Sequence, residues 1–96
     1  MIKENDKVLA FIQKCNWEIK KNALFKKYTF SNFSLAIEFI NQIAEISEEN
    51  NHHPKLVNNY NSVEVFWTTN DVGYITPKDV ELAKKCDNIY IKNKGT

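Results

Sequence analysis

Residues 31–54 read SNFSLAIEFINQIAEISEENNHHP, and this stretch decides the fold. Ser31 or Asn32 can accept a hydrogen bond from the free N–H groups of a starting helix. Phe33, Ile37, Ile40 and Ala44 then fall on one stripe, with Ala36, Phe39, Ile43 and Ile46 on a second beside it. Together they make a broad apolar face, which is what a helix needs when it lies across a sheet. The pattern runs out in the polar residues 47–51, and Pro54 forbids any continuation.

A helix with that face requires a sheet to cover, and the flanking sequence supplies one. Downstream, residues 55–60 and 63–69 form a hairpin around Asn61-Ser62. Val63, Val65 and Trp67 point one way, while Glu64, Phe66 and Thr68 point the other. Gly73 permits a tight bend, and Thr76-Pro77-Lys78-Asp79 opens a last helix as a capping-box-like sequence with Pro at its first position. Val80, Ala83 and Cys86, flanked by Leu82 and Ile89, give that helix its apolar side. Upstream, residues 17–20 and 23–30 read as two strands around Lys21-Asn22, partly on aromatic content. Residues 6–15 read as a short helix with Val8, Ile12 and Cys15 on one face. The order is α-β-β-α-β-β-α, an α+β fold with a four-stranded, mainly antiparallel sheet and helices packed on one face. No repeat or linker divides the chain, so residues 1–96 are read as one domain.

Charge and composition exclude several function classes. Thirteen basic residues balance 12 acidic ones without a charge run, which argues against a nucleic-acid footprint or a polybasic membrane patch. Every basic residue is lysine. Without arginine there are no bidentate forks for phosphate or carboxylate, which on composition favours a substrate lacking phosphate. Cys15 and Cys86 read as reduced thiols of a cytoplasmic protein. No signal peptide or apolar run of membrane length is present, so no membrane association is expected.

The chemistry-bearing residues gather between Glu48 and Asp79. His52 and His53 are the two histidines of the chain, adjacent and directly before Pro54. Imidazoles titrate near neutrality, so a pair suits proton transfer at physiological pH. A structural account is also open, because a histidine at a helix C-terminus is favoured by the helix dipole. Asp79 can simply close a capping box with Thr76, Glu48 can be a solvated residue of a last turn, and Tyr60 and Trp67 can be edge or core aromatics. A metal site is not expected: neighbouring residues of a helix point apart, and no third ligand stands at metal spacing.

The combination is more specific than its members. Glu48, three spacers, His52-His53-Pro54, the aromatic Tyr60 and then Asp79 resemble, in type and spacing, the signature of the pterin-4a-carbinolamine dehydratases. Trp17 and the element order extend the likeness over nearly the whole chain. One position departs: ten residues after Tyr60 the family has His or Trp, and this chain has Asn70, which cannot exchange a proton near neutral pH.

The resemblance implies dehydration of a 4a-hydroxytetrahydropterin to a quinonoid dihydropterin, as in tetrahydrobiopterin recycling, with no cofactor. It implies His52 as the acid for the departing hydroxyl, oriented by Glu48, and His53 as the residue that holds the pterin and accepts the N5 proton. Tyr60, Trp67, Asn70 and Asp79 would complete the substrate site, with Asp79 in a supporting position. The family also implies a homodimer or homotetramer. Two alternatives remain open: a pterin-binding relative of low activity, and a structural or protein-interaction module. Binding without turnover would identify the first, and neither would identify the second.

Overall fold

The structure is a computed structural model that describes residues 6–94. Its elements are α1 (Asp6–Cys15), β1 (Glu18–Lys20), β2 (Ala23–Thr29), α2 (Phe33–Asn50), β3 (Lys55–Asn59), β4 (Ser62–Trp67) and α3 (Pro77–Lys94). The strands form one antiparallel sheet in the order β1-β2-β4-β3. The long loop between β2 and β3 is spanned by α2, and this lets β4 insert beside β2.

Alternation along the paired strands divides the sheet into two faces. Leu24 and Tyr28 of β2 and Val63, Val65 and Trp67 of β4 are buried toward the helices. Against them pack Ala36, Phe39 and Ile43 of α2 and Val80, Leu82, Ala83 and Cys86 of α3. Of the two apolar stripes on α2, the Ala36–Phe39–Ile43 stripe faces the core. The other lies along its flank: Ile40 is partly buried, and Phe33 at the helix start is 49% exposed. The opposite face of the sheet carries Ala23, Phe25, Phe66 and Lys55 and has no helix over it.

Local chemistry sets the turns. Lys21 and Asn22 both have positive φ (50° and 63°), the paired left-handed conformation that joins two strands by a two-residue turn. Between β3 and β4 the turn falls on Tyr60-Asn61, one residue earlier than expected, because Asn59 pairs with Ser62 and Tyr60 takes the left-handed position (φ 54°). Asn32 rather than Ser31 caps α2, its side-chain oxygen accepting from the Leu35 N–H at 2.9 Å.

A polar cluster fixes α1 to the rest. The Asp87 carboxylate accepts from Trp17 Nε1 (3.0 Å), Lys26 Nζ (2.9 Å) and Tyr28 Oη (2.6 Å). Lys26 also donates to the Cys15 carbonyl at the end of α1 (2.9 Å). One aspartate on α3 thus ties together the first helix, the following tryptophan and the second strand.

Candidate active site

The site is built by the way α2 ends. Asn51 adopts the left-handed conformation (φ 50°, ψ 46°) and its N–H turns back to the Glu48 carbonyl, while the His52 N–H reaches the Ser47 carbonyl at 3.1 Å. This is a Schellman cap, and asparagine is among the few residues with a side chain that enter that conformation at small cost. The chain leaves the cap extended and enters β3 at Lys55. In extended backbone successive side chains point to opposite sides. Two adjacent histidines are therefore sent in two directions, each to its own carboxylate.

His52 turns inward. Its side chain is 12% exposed, and its Nε2 lies 2.6 Å from Asp79 Oδ1. Its ring lies parallel to that of Trp67, with centroids 5.9 Å apart and planes 5° from parallel. Asp79 is fully buried at the first turn of α3. Its other oxygen accepts from the Thr76 N–H at 2.9 Å, the carboxylate half of a capping box, and from Thr69 Oγ1 at 2.7 Å. Thr69 and Thr76 are themselves joined by their hydroxyls at 2.7 Å. The two readings of Asp79, helix cap and partner of a histidine, are one arrangement, with one oxygen assigned to each task.

His53 turns outward. Its Nε2 lies 2.6 Å from Glu48 Oε2, and the two side chains are 55% and 78% exposed. Glu48 therefore pairs with His53 and not with His52, contrary to expectation: the left-handed turn at Asn51 carries His52 away from the last turn of α2 and brings His53 back beside it. A carboxylate only accepts hydrogen bonds, so in both pairs Nε2–H donates and Nδ1 is the ring nitrogen left over.

His53 opens onto a cleft of about 570 Å³ on the uncovered face of the sheet. Phe66, Ala23 and Pro54 supply its apolar surface, and Thr68 and Asn70 its uncharged polar groups. Asn70 is carried there by a loop closed by Gly73, whose N–H donates to the Thr69 carbonyl at 2.8 Å. Gly73 has φ 75°, and a Cβ there would meet nothing, so backbone conformation alone favours glycine.

The expected site residues separate accordingly. His53 and Asn70 come together at the cleft, Glu48 stands behind His53, and His52 and Asp79 form a buried pair beneath. Two expected contacts are not brought there. Trp67 is fully buried on the helix side of the sheet, and its indole N–H donates to Cys86 Sγ at 3.4 Å. Tyr60 is 63% exposed in the β3–β4 turn, at the far end of a five-residue strand that rises about 16 Å. Lys20, Lys21 and Lys55, absent from the expected set, line the cleft instead. Alternation along β4 held the signal for this face, since Phe66 and Thr68 are out of phase with the core residues. Thr69 carried no signal, because its role depends on a loop contact with α3. Among the described residues no group of three His, Cys, Asp or Glu side chains is placed to hold a metal ion.

Comparison with known proteins places this architecture. Residues 3–89 match the family model of pterin 4 alpha carbinolamine dehydratase. A protein of Thermomicrobium roseum, provisionally named a pterin-4-alpha-carbinolamine dehydratase, is 44% identical over 69 residues, 72% of this chain and 74% of its own. A Metallosphaera sedula protein with the same provisional name is 34% identical over 88 residues, covering 92% and 90% of the two chains. Among solved structures, a transcriptional coactivator/pterin dehydratase from Brucella melitensis superposes with a TM-score of 0.85 at 26% identity, over 94% of this chain and 99% of that one. A pterin dehydratase-like RuBisCO assembly factor of the alpha-carboxysome shares the fold, with a TM-score of 0.64 at 20% identity over 77% and 86% of the chains. With the family model covering all but the ends of the chain, and relatives matched over most of their length, this protein belongs to the pterin 4 alpha carbinolamine dehydratase family.

Proposed function

We propose that the chain dehydrates a 4a-hydroxytetrahydropterin, releasing water and a quinonoid dihydropterin. The observation that carries this reading is the divergent histidine pair at one wall of a partly apolar cleft, each imidazole held through Nε2 by its own carboxylate. The reaction breaks the C4a–O bond and forms a C4a=N5 double bond. A proton must reach the departing hydroxyl, and the N5–H proton must leave.

His53 is the imidazole that meets the pterin, with Phe66 and Pro54 supporting the flat bicycle and Asn70 offering both a donor and an acceptor to its polar edge. His53 takes the N5 proton at Nδ1 while Glu48 fixes its tautomer. His52 serves the hydroxyl through its own Nδ1 from beneath, its ring fixed by Asp79 on one side and by Trp67 on its face. This division needs no redox group. A homodimer or homotetramer in the cytoplasm belongs to the same reading, and sedimentation measures the assembly state.

Stopped-flow absorbance of freshly generated 4a-hydroxytetrahydropterin tests the activity. The expected result is acceleration by the protein that His53→Ala removes. No acceleration by the folded protein would overturn the dehydratase reading. A second reading, retained pterin binding with little turnover, is favoured by Asn70, an amide where the family expects a group that can exchange a proton or stack. Binding of a dihydropterin without acceleration would establish it.

A further inference from the structure

The composition, with lysine as its sole basic residue, argues against a grip on phosphate, yet the fold places three of those lysines around one cleft. Lys20 and Lys21 come from the β1–β2 turn, and Lys55 from the first position of β3. The sheet order puts β1 and β3 at opposite edges, so the cleft reaches across all four strands, three spacings of about 4.8 Å or roughly 14 Å. His53 stands at the β3 side and the lysine pair at the β1 side. No carboxylate lines the cleft, and the nearest by connectivity, Glu48, is engaged by His53 at its rim. Among the described residues none of the three ammonium groups has a carboxylate partner. Lys20 and Lys55 instead lie over aromatic rings of the same sheet face, 4.1 Å from the centroid of Phe25 and 5.0 Å from that of Phe66. These ring contacts hold two cations at the cleft without neutralising them.

Positive charge of this kind is matched to an anion at a definite distance from the reacting centre. In a pterin, N5 and C6 are neighbouring ring atoms. A substituent on C6 therefore starts beside the group that serves N5, and the cleft gives it a path across β4 and β2 toward Lys20 and Lys21. We infer that this site takes a pterin whose C6 tail ends in an anionic group, read by Lys20 and Lys21, with Lys55 adding charge at the His53 end. The inference rests on the pterin reading given above and adds the class of tail. Lysine ammonium groups act as point charges and do not require the fixed two-oxygen geometry of an arginine fork, so a phosphate ester and a carboxylate share the chemistry.

Calorimetric titration with three dihydropterins tests it: one with a neutral polyhydroxypropyl tail, its terminal phosphate monoester, and one whose tail ends in carboxylates. Inorganic phosphate serves as a fourth probe. The anionic tails are expected to bind roughly 10- to 100-fold tighter than the neutral one at low salt, with the ratio shrinking as ionic strength rises. In Lys20→Gln/Lys21→Gln that ratio is expected to fall to about one, since the tail then meets uncharged amides. Lys27→Gln, an equal charge change at an exposed position outside the cleft, is expected to keep the wild-type ratio. Preference for the phosphate over the carboxylate tail would assign the anion as an ester phosphate, and equal preference would assign recognition by charge alone. Equal binding of neutral and anionic tails would overturn the inference while leaving the pterin reading intact. So would a ratio that survives the double lysine variant, or inorganic phosphate binding as tightly as the phosphorylated pterin. Failure of all three pterins to bind would overturn the pterin reading itself.

Discussion

The two histidine–carboxylate pairs have the same length, 2.6 Å, and opposite surroundings. His52–Asp79 is enclosed, with both carboxylate oxygens hydrogen-bonded and a tryptophan against the ring. His53–Glu48 stands in solvent, with both partners more than half exposed. An identical contact therefore does different work. A buried pair is costly to assemble and costly to break, because removing one member leaves polar groups without water or partner. An exposed pair contributes little to stability, and its ring is free to meet a ligand. The fold places the rigid pair beneath the cleft and the accessible pair at its wall.

Four measurements would break or sharpen this contrast. The largest effect is expected on turnover: His53→Ala should lower the dehydration rate by about 10²–10⁴ while leaving the urea midpoint close to wild type. A loss of stability equal to the loss of activity would erase the distinction between the pairs. Asp79→Ala should act in the opposite sense, costing about 3–5 kcal/mol of folding stability, since His52, Thr69 and the Thr76 N–H all lose their acceptor. Equilibrium urea unfolding reads this directly, and a cost below about 1 kcal/mol would place the pair with surface ion pairs.

Asn70 tests the cleft side of the contrast. If it stands where a second proton donor would serve the opposite ring face, one 4a epimer should be turned over and the other should lag by about 10²–10⁴, with Asn70→His restoring the laggard. Equal rates for both epimers would remove Asn70 from the proton path. The smallest effect is expected for Glu48→Gln, within about 1 kcal/mol in stability.

The core beneath the buried pair makes its own pH prediction. Burial pushes the Cys86 thiol from its ordinary value of 9.0 up to about 12, opposed in part by the hydrogen bond from Trp67. Tyr28 is pushed up as well, first by burial and then by its bond to Asp87. Groups raised in the folded state contribute stability that is fully present below their unfolded values and is lost as pH climbs through the folded ones. Unfolding free energy should therefore decline as pH rises from about 9 to about 12, and Cys86→Ala should flatten that decline. A decline unchanged in the variant would assign the alkaline loss to Tyr28 and the lysines.

The architecture was legible because its signals are local. The stripes of α2, the alternation of Val63, Val65 and Trp67, and the Thr76-Pro77 helix start all lie within a few residues, and each fixes an element. The candidate site was legible by composition and not by pairing. Glu48, His52, His53 and Asp79 could be picked out, but which carboxylate meets which histidine depends on one backbone residue, Asn51, whose left-handed conformation no spacing rule announces. Trp67 and Tyr60 illustrate a second limit. An aromatic near a site in sequence can lie behind it or beyond it, and only strand phase and strand length separate the cases. Lys20 and Lys21 mark a third, since they reach the cleft through a sheet order in which β4 comes to lie between β2 and β3.

The cap at Asn51 makes the histidine segment intolerant of changes in length. Between the left-handed residue and Pro54 there are two positions, one for each direction. Substituting either histidine alters one pair, but inserting or deleting a single residue there would exchange the inside for the outside for everything up to the next strand. His53 would be driven toward Asp79, and the cleft would lose its imidazole while the composition of the segment stayed almost the same. Lineages of this chain are thus free to vary what stands at the cleft, as at position 70, far more readily than they can vary the count of residues that leads into it.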